Sequence, residues 1–323
     1  MRSPTRPLVS VAMAAYNAGR FVREALASLS AQTLQDLEVL VADDGSTDDT
    51  AARVEEAARE DPRIRLLRLA RNRGQAAALN TALKQARGRY LAVLDADDEA
   101  PASRLADQVQ ALERDAGLIL VGGAVQTFQD RHPARGELWR YAEDDATIRA
   151  RTLFKSEFIS GAMTFDRERL VEHRLGFDPR YRIGNDWDLS SRALRVGRGA
   201  NLPQVVLRYR LHGAQMTTGM MDDVRADSAR IRLDALGWVG VAPSEDELRV
   251  HLAVSPCNYW PFGAHPYFRA AGPRLAGDAA RWFTRLRAAA ARTGRVPLPA
   301  LDATLREITA DIARRAGAAH EAA

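Results

Sequence analysis

The chain has 323 residues, with 46 Lys+Arg against 42 Asp+Glu for a formal net charge of +4, 46% hydrophobic residues and 27% charged ones. That balance belongs to a folded chain with a sizeable core; it excludes a disordered protein, and no apolar run approaches the roughly 20 residues of a membrane-spanning helix. A single cysteine, Cys257, excludes an internal disulfide framework and fits a reducing compartment.

The first apolar run, Leu8 to Ala15 with a strand candidate at Leu8 to Met13, follows Arg2 and Arg6 as the hydrophobic part of a secretory signal would. It is interrupted by Ser10 and closed by Tyr16-Asn17, so a first β-strand is the better reading and a cytoplasmic chain is expected. Phe21 to Ala31 reads as a helix, Leu37 to Val41 as a strand, Asp48 to Arg59 as a helix and Ile64 to Leu69 as a strand. Gln75 to Ala86 is the third helix, Tyr90 to Leu94 the fourth strand, Ala102 to Leu112 the fourth helix and Leu118 to Val121 the fifth strand. This βαβα order predicts a mainly parallel sheet flanked by helices, in which ligands gather at the carboxyl ends of the strands.

Acids crowd at two of those ends. Leu37–Val41 leads into Ala42-Asp43-Asp44-Gly45-Ser46, and Tyr90–Leu94 into Asp95-Ala96-Asp97-Asp98. Helix capping accounts for Asp48 and is open for Asp98. It suits Asp95 and Asp97 poorly, because carboxylates crowded at one strand end repel each other unless a cation joins them. The second half is less regular: Phe158 to Phe165 reads as a strand, Gly184 to Val196 as a loop entering a helix, and Val205 to Leu211 as a strand ending at His212-Gly213. From Met220 onward the pattern is mostly helical with Gly/Pro breaks.

Several runs together resemble the family 2 glycosyltransferases of the GT-A nucleotide-sugar-binding fold. They are Pro7 to Val11 through Tyr16-Asn17, Val41 to Asp48, Arg71-Asn72-Arg73-Gly74-Gln75 through Asn80, Asp95-Ala96-Asp97-Asp98, Gly184-Asn185-Asp186-Trp187-Asp188, and Tyr209-Arg210-Leu211-His212. A lone D-x-D is a weak signal; six runs in the expected order over residues 7–213 are a strong one. The resemblance implies an α/β fold of GT-A type with a helical C-terminal extension. Its domains would be a catalytic part over 1–218, with a nucleotide-binding half at 1–125 and an acceptor-binding half at 126–218, and a helical region over 219–323.

The same resemblance implies a nucleotide-sugar donor, UDP-linked in preference, and a divalent cation, Mn²⁺ or Mg²⁺, that neutralises the departing diphosphate. Asp97 matches the carboxylate that holds the cation; His212 is either a further metal ligand or an ordinary surface or core histidine. Tyr16 resembles the residue that stacks on the base. Asp43 and Asp44 belong to the donor set, Asp44 as acceptor of a uracil N–H. Arg71 resembles a residue approaching the diphosphate, Gly74 opens a helix whose amides favour anionic charge, and Asp95 and Ala96 complete the donor side. Asp186 matches the general base that takes a proton from the acceptor hydroxyl, with inversion at the anomeric carbon. Trp187 and Asp188 fall on the acceptor side, and capping of a helix at Leu189 to Arg195 is the plainer role for Asp186 and Asp188. Asn185 departs from the family pattern, which has an acid there.

The acceptor implied is a saccharide or lipid-linked saccharide in polysaccharide or glycoconjugate assembly; no nucleic-acid partner is expected. In the tail, Trp282, Leu286 and Ala289 share a helical face beside Arg281, Arg285 and Arg292. Such a helix suits an anionic membrane on the inner leaflet, or packing within the chain or against a second subunit; the narrow apolar face favours packing. Rival classes are a polyprenyl-phosphate sugar transferase, whose acceptor needs no base, and a non-catalytic binding protein on the same scaffold. A nucleotidyltransferase would carry a Gly-rich basic loop where Ala14-Ala15-Tyr16-Asn17 stands, and no G-x-G-x-x-G of a dehydrogenase follows the first strand.

Overall fold

The computed structural model describes residues 6–129, 136–213, 220–255 and 274–321, with side chains to Arg315. Cys257 and the Trp260-Pro261-Phe262 run lie outside the described residues. The chain divides into two units, Met1–Glu143 with Phe158–Met220, and Asp144–Glu157 with Met221–Ala323.

In the first unit the opening elements fall where the periodicity puts them: β1 Val9–Ala15, α1 Val22–Ser30, β2 Leu37–Asp43, α2 Thr50–Glu60, β3 Ile64–Arg68, α3 Gln75–Gln85, β4 Tyr90–Val93 and α4 Arg104–Arg114. Strands β1, β2 and β4 are almost wholly buried, which is why their sequences run apolar without alternation. They pair in parallel, β1 with both β2 and β4, and β2 with β3, and the register sets Ala15 beside Asp43 and Asp43 beside Arg68. The strand ends therefore lie along one edge of the sheet.

Strand β5, Leu118–Phe128, is longer than the run Leu118 to Val121 suggests, and a short β6, Leu138–Trp139, pairs back on it. The chain then passes to α5, Asp145–Thr152, in the other unit, and returns as β7, Thr164–Asp166, α6, Arg167–Glu172, α7, Asn185–Ala193, and β8, Arg198–Arg210. The sheet order is β3-β2-β1-β4-β7-β5-β6, with β8 parallel to β5. β7 runs antiparallel to both β4 and β5, so it is an inverted strand in a mainly parallel sheet. Only the end of the segment from Phe158 to Phe165 is strand; Ser160–Ala162 forms a 3₁₀ turn where the chain passes the acids of β4. β5 and β8 extend each other because ten register pairs, from Leu118 with Arg198 to Phe128 with Arg210, give both backbones a partner.

The second unit gathers α5 with α8 Met221–Trp238, α9 Glu245–Val254, α10 Leu275–Thr293 and α11 Leu298–Glu321. Residues 144–157, which the resemblance puts in the acceptor-binding half, belong to this unit instead: Ala150, Leu153 and Phe154 join a core of Leu236, Trp282, Phe283, Leu286, Ala289 and Leu301. Helix α10 thus buries its aromatic face within its own unit, while Arg281, Arg285 and Arg287 pair with Asp278, Glu247 and Asp302. Among the described residues no helix is long and apolar enough to cross a membrane.

Candidate active site

The loop after β1 is stapled to the one after β2. Asn17 adopts a positive φ of 50°, donates its amide to Ser46 Oγ at 2.9 Å and accepts the Thr47 amide on Oδ1 at 2.9 Å. This leaves Tyr16 half exposed, a flat aromatic face at the sheet edge. Asp43 Oδ1 accepts the Ser46 amide at 3.0 Å, and Asp48 accepts the amides of Gly19 and Thr50, holding the entry to α2. Asp44 is buried, and its two oxygens accept the amides of Arg73 and Gly74 at 2.8 and 2.7 Å. Its immediate work is therefore to fold the 71–74 turn, with one lone pair on each oxygen remaining for other donors. Gly74 has φ 89° with open space around its Cβ position, so the backbone conformation selects glycine there. Gly45 is selected by contact as well: a Cβ would lie 2.8 Å from the Arg71 carbonyl carbon. Arg71 itself is exposed.

At the end of β4 four carboxyl groups converge. Asp95 is raised to about 7, first by burial, then by the charges of Asp97 and Asp186; Gln75 Nε2 donates to its Oδ1 at 3.1 Å. Ala96 is buried between the acids. Asp98 is pushed well above the usual carboxylate range by burial and by Asp97 and Asp95. Its Oδ1 accepts the Arg210 amide at 2.8 Å, and its Oδ2 has no hydrogen-bond partner among the described residues. Asp98 is thus no cap of α4, whose N-cap position is Ser103. Beneath the acids Arg104 is fully buried, donating from Nη2 to the Val93 carbonyl at 2.7 Å and from Nε to Gln108 at 3.1 Å; burial lowers it to about 10.

Asp97 is the more accessible acid. Its Oδ2 lies 2.9 Å from Nε2 of His212, whose ring stacks on Phe21 at 4.5 Å between centroids. Arg210 Nε holds the Asp97 carbonyl at 2.8 Å. Among the described residues no three His, Cys, Asp or Glu side chains form a complete metal cage. One accessible carboxylate beside an imidazole nevertheless fits a cation that draws its remaining ligands from phosphates and water, and the crowded acids around it are what such a charge would relieve.

Helix α7 starts earlier than the capping alternative supposes, at Asn185 after Gly184 in the left-handed region with φ 79°. Asp186 therefore lies in its first turn. Burial raises its carboxyl, against the backbone N–H groups of Trp187, Asp186 and Ser160 that hydrogen-bond it. Asp188 is buried and joined to Arg192 at 2.5 Å, and Trp187 is buried too, so neither is presented at the surface. The structure brings Asp95, Asp97, Asp186 and His212 to one edge and leaves Trp187 and Asp188 in the body of α7.

Two further residues, given no role from the sequence, complete the cluster. Gln75 links Asp95 to Asn185, whose Nδ2 donates to Gln75 Oε1 at 3.2 Å. Arg104 does carry a signal: it stands in the buried stripe of α4 with Leu105, Gln108, Val109 and Leu112, where an arginine needs internal acceptors.

Residues 10–174 match the glycosyl transferase family 2 profile. The succinoglycan biosynthesis protein ExoO of Rhizobium meliloti is 35% identical over 244 residues, 71% of this chain and 70% of that one. Among solved structures, Staphylococcus aureus TarS 1–349 in complex with UDP-GlcNAc superposes with a TM-score of 0.64 at 19% identity, covering 97% of this chain and 91% of that one. The mannosyltransferase PcManGT from Pyrobaculum calidifontis, in complex with GDP-Man and Mn²⁺, gives 0.55 at 24% identity, covering 96% and 85%.

Proposed function

The chain belongs to glycosyl transferase family 2, and from that premise we propose that it moves a sugar from a nucleoside-diphosphate donor, UDP-linked in preference, to a hydroxyl of a saccharide or lipid-linked saccharide acceptor. The observation that carries the reading is the convergence of Asp95, Asp97 and Asp186 with His212 at the carboxyl edge of the sheet. The succinoglycan-assembly relative supports a place in cell-surface polysaccharide or glycoconjugate assembly.

In this reading Tyr16 stacks on the nucleoside base, and the 71–74 turn, folded on Asp44, presents Arg71 and the first amides of α3 to the diphosphate. Asp97 and His212 would hold a divalent cation, Mn²⁺ or Mg²⁺, which supplies positive charge to the leaving diphosphate. Asp186 accepts the proton of the acceptor hydroxyl as that oxygen bonds to the anomeric carbon and the bond to the diphosphate breaks, with inversion. Its raised carboxyl makes it a stronger base than a solvated aspartate, and no covalent enzyme intermediate is needed.

The test is thermal stabilisation by UDP, dTDP, GDP and CMP, each with and without Mn²⁺, on the wild type and Asp97→Ala. A ligand that binds only the folded state raises the melting temperature with its occupancy. The expected result is a rise with UDP or dTDP that requires Mn²⁺ and disappears in Asp97→Ala. Folded protein indifferent to all four nucleotides overturns the reading.

A further inference from the structure

We propose that Gln75 and Asn80 of helix α3 are positioning residues that tie the base-bearing segment 176–186 to the donor turn 71–74, so that occupancy of the turn is felt at Asp186. The inference rests on the donor and base roles assigned to those segments above.

Helix α3 begins at Gln75, immediately after the Gly74 whose amide Asp44 holds, so the position of the helix start follows that turn. From there the helix grips the base segment at both ends. At the far end Asn80 makes a two-point clamp on one residue. Its Nδ2 donates to the Phe177 carbonyl at 2.6 Å, and its Oδ1 accepts the Phe177 amide at 3.0 Å. The neighbouring residue is Gly176; a Cβ there would lie 3.0 Å from Asn80 Oδ1, and its carbonyl accepts Arg192 Nη2 of α7 at 2.6 Å. The Phe177 side chain is buried, which anchors the start of the segment.

At the near end Gln75 bridges Asp95 and Asn185. Gln75 gives its NH₂ to Asp95 Oδ1, which leaves its carbonyl for Asn185, and Asn185 must then present its own NH₂. An acid at 185, as the family pattern has, could not donate to that carbonyl; asparagine is the residue that keeps this bridge in one orientation. Asn185 directly precedes Asp186, so a shift of α3 reaches the base through one side-chain contact. Asparagine is a poor helix-interior residue, and its place in α3 is explained by the clamp.

The experiment is hydrogen exchange on the full chain, with UDP and MnCl₂ as the probe, following segments 71–80 and 176–187 in wild type, Asn80→Ala, Asn80→Asp and Gln75→Ala. In the wild type the nucleotide should slow exchange in both segments by about threefold or more. In Asn80→Ala and Gln75→Ala the slowing should persist over 71–80 and be lost over 176–187. Asn80→Asp, which keeps an acceptor for the Phe177 amide but loses the donor to its carbonyl, should fall between and guards against a fold-breaking alanine. A purely structural clamp would loosen 176–187 equally with and without nucleotide and leave the difference intact; that result overturns the proposal. A wild type unresponsive at 71–80 overturns the donor reading itself, and this proposal with it.

Discussion

His251 in the helical unit and the acids after β4 in the sheet unit are buried in opposite ways. In the helical unit His251 is fully buried, yet both ring nitrogens are engaged: Nε2 faces the Leu153 carbonyl at 3.0 Å, and Trp282 Nε1 donates to Nδ1 at 3.2 Å. Its ring also packs on Phe154 at 4.7 Å, and burial, aided by Arg232, lowers it to about 3. It is a neutral, satisfied core residue. In the sheet unit Asp95 and Asp98 are raised, acids crowd one strand end, and Asp98 Oδ2 and Asn185 Oδ1 are buried with no partner among the described residues. His251 serves packing, whereas the unpartnered oxygens of Asp98 and Asn185 lie beside the crowded acids, where a ligand is expected to complete the arrangement.

The sharpest break in that comparison is Asp186→Asn. It should lower transfer by about 10³-fold, the scale of a lost general base, while UDP still stabilises the protein. Turnover near wild type would remove Asp186 as base and favour an acceptor already ionised, such as a polyprenyl phosphate.

The pH response should carry opposite signs at His251 in the helical unit and Asp95 in the sheet unit. His251 is lowered from 6.5 to about 3, so below 6.5 the unfolded state binds the extra proton and stability falls as pH drops through that window. By pH 4.5 the loss from this group alone is about 3 kcal/mol, which urea melts at pH 7 and 4.5 would measure. Asp95 is raised from 3.8 to about 7, so its contribution is full below 3.8 and is lost as pH rises through 7 in metal-free buffer. His251→Gln should flatten the acid limb and Asp95→Asn the limb toward neutrality. If either variant leaves its limb unchanged, the corresponding burial argument fails.

Tyr16→Ala should weaken UDP binding by about tenfold, the scale of one base–aromatic stack, without moving the melting temperature of the free protein, because the ring is half exposed. Calorimetric titration decides it. Gly74→Ala tests the turn itself. At φ 89° and ψ 158°, a conformation essentially reserved for glycine, a side chain should cost about 1–3 kcal/mol in chemical denaturation, with no clash against neighbouring residues to add to it.

Much of the sheet unit is written locally. The runs of β1, β2 and β4 are apolar because both faces are covered, and the stripes of α1 to α4 repeat at helical spacing, so these elements fall within a few residues of their expected ends. The acids following β2 and β4 were equally visible, since strand ends are where such sheets collect ligands. The inverted β7, the full length of β5 and β8, and the membership of 144–157 in the helical unit were not, because each is decided by pairing or packing with residues far away in sequence.

The sequence by itself determined which groups this protein possesses at its strand ends, the order in which they come and the family to which they belong. Tertiary structure alone decided their states. It engaged the Asp44 oxygens with the amides of Arg73 and Gly74, closed Trp187 and Asp188 inside α7, set Gln75 between Asp95 and Asn185, and placed Arg104 under the acids. The reason is physical. Hydrogen-bond periodicity is a property of neighbours along the chain, whereas the charge and availability of a carboxylate depend on hydration and on charges a few ångströms away, which only the folded chain brings together.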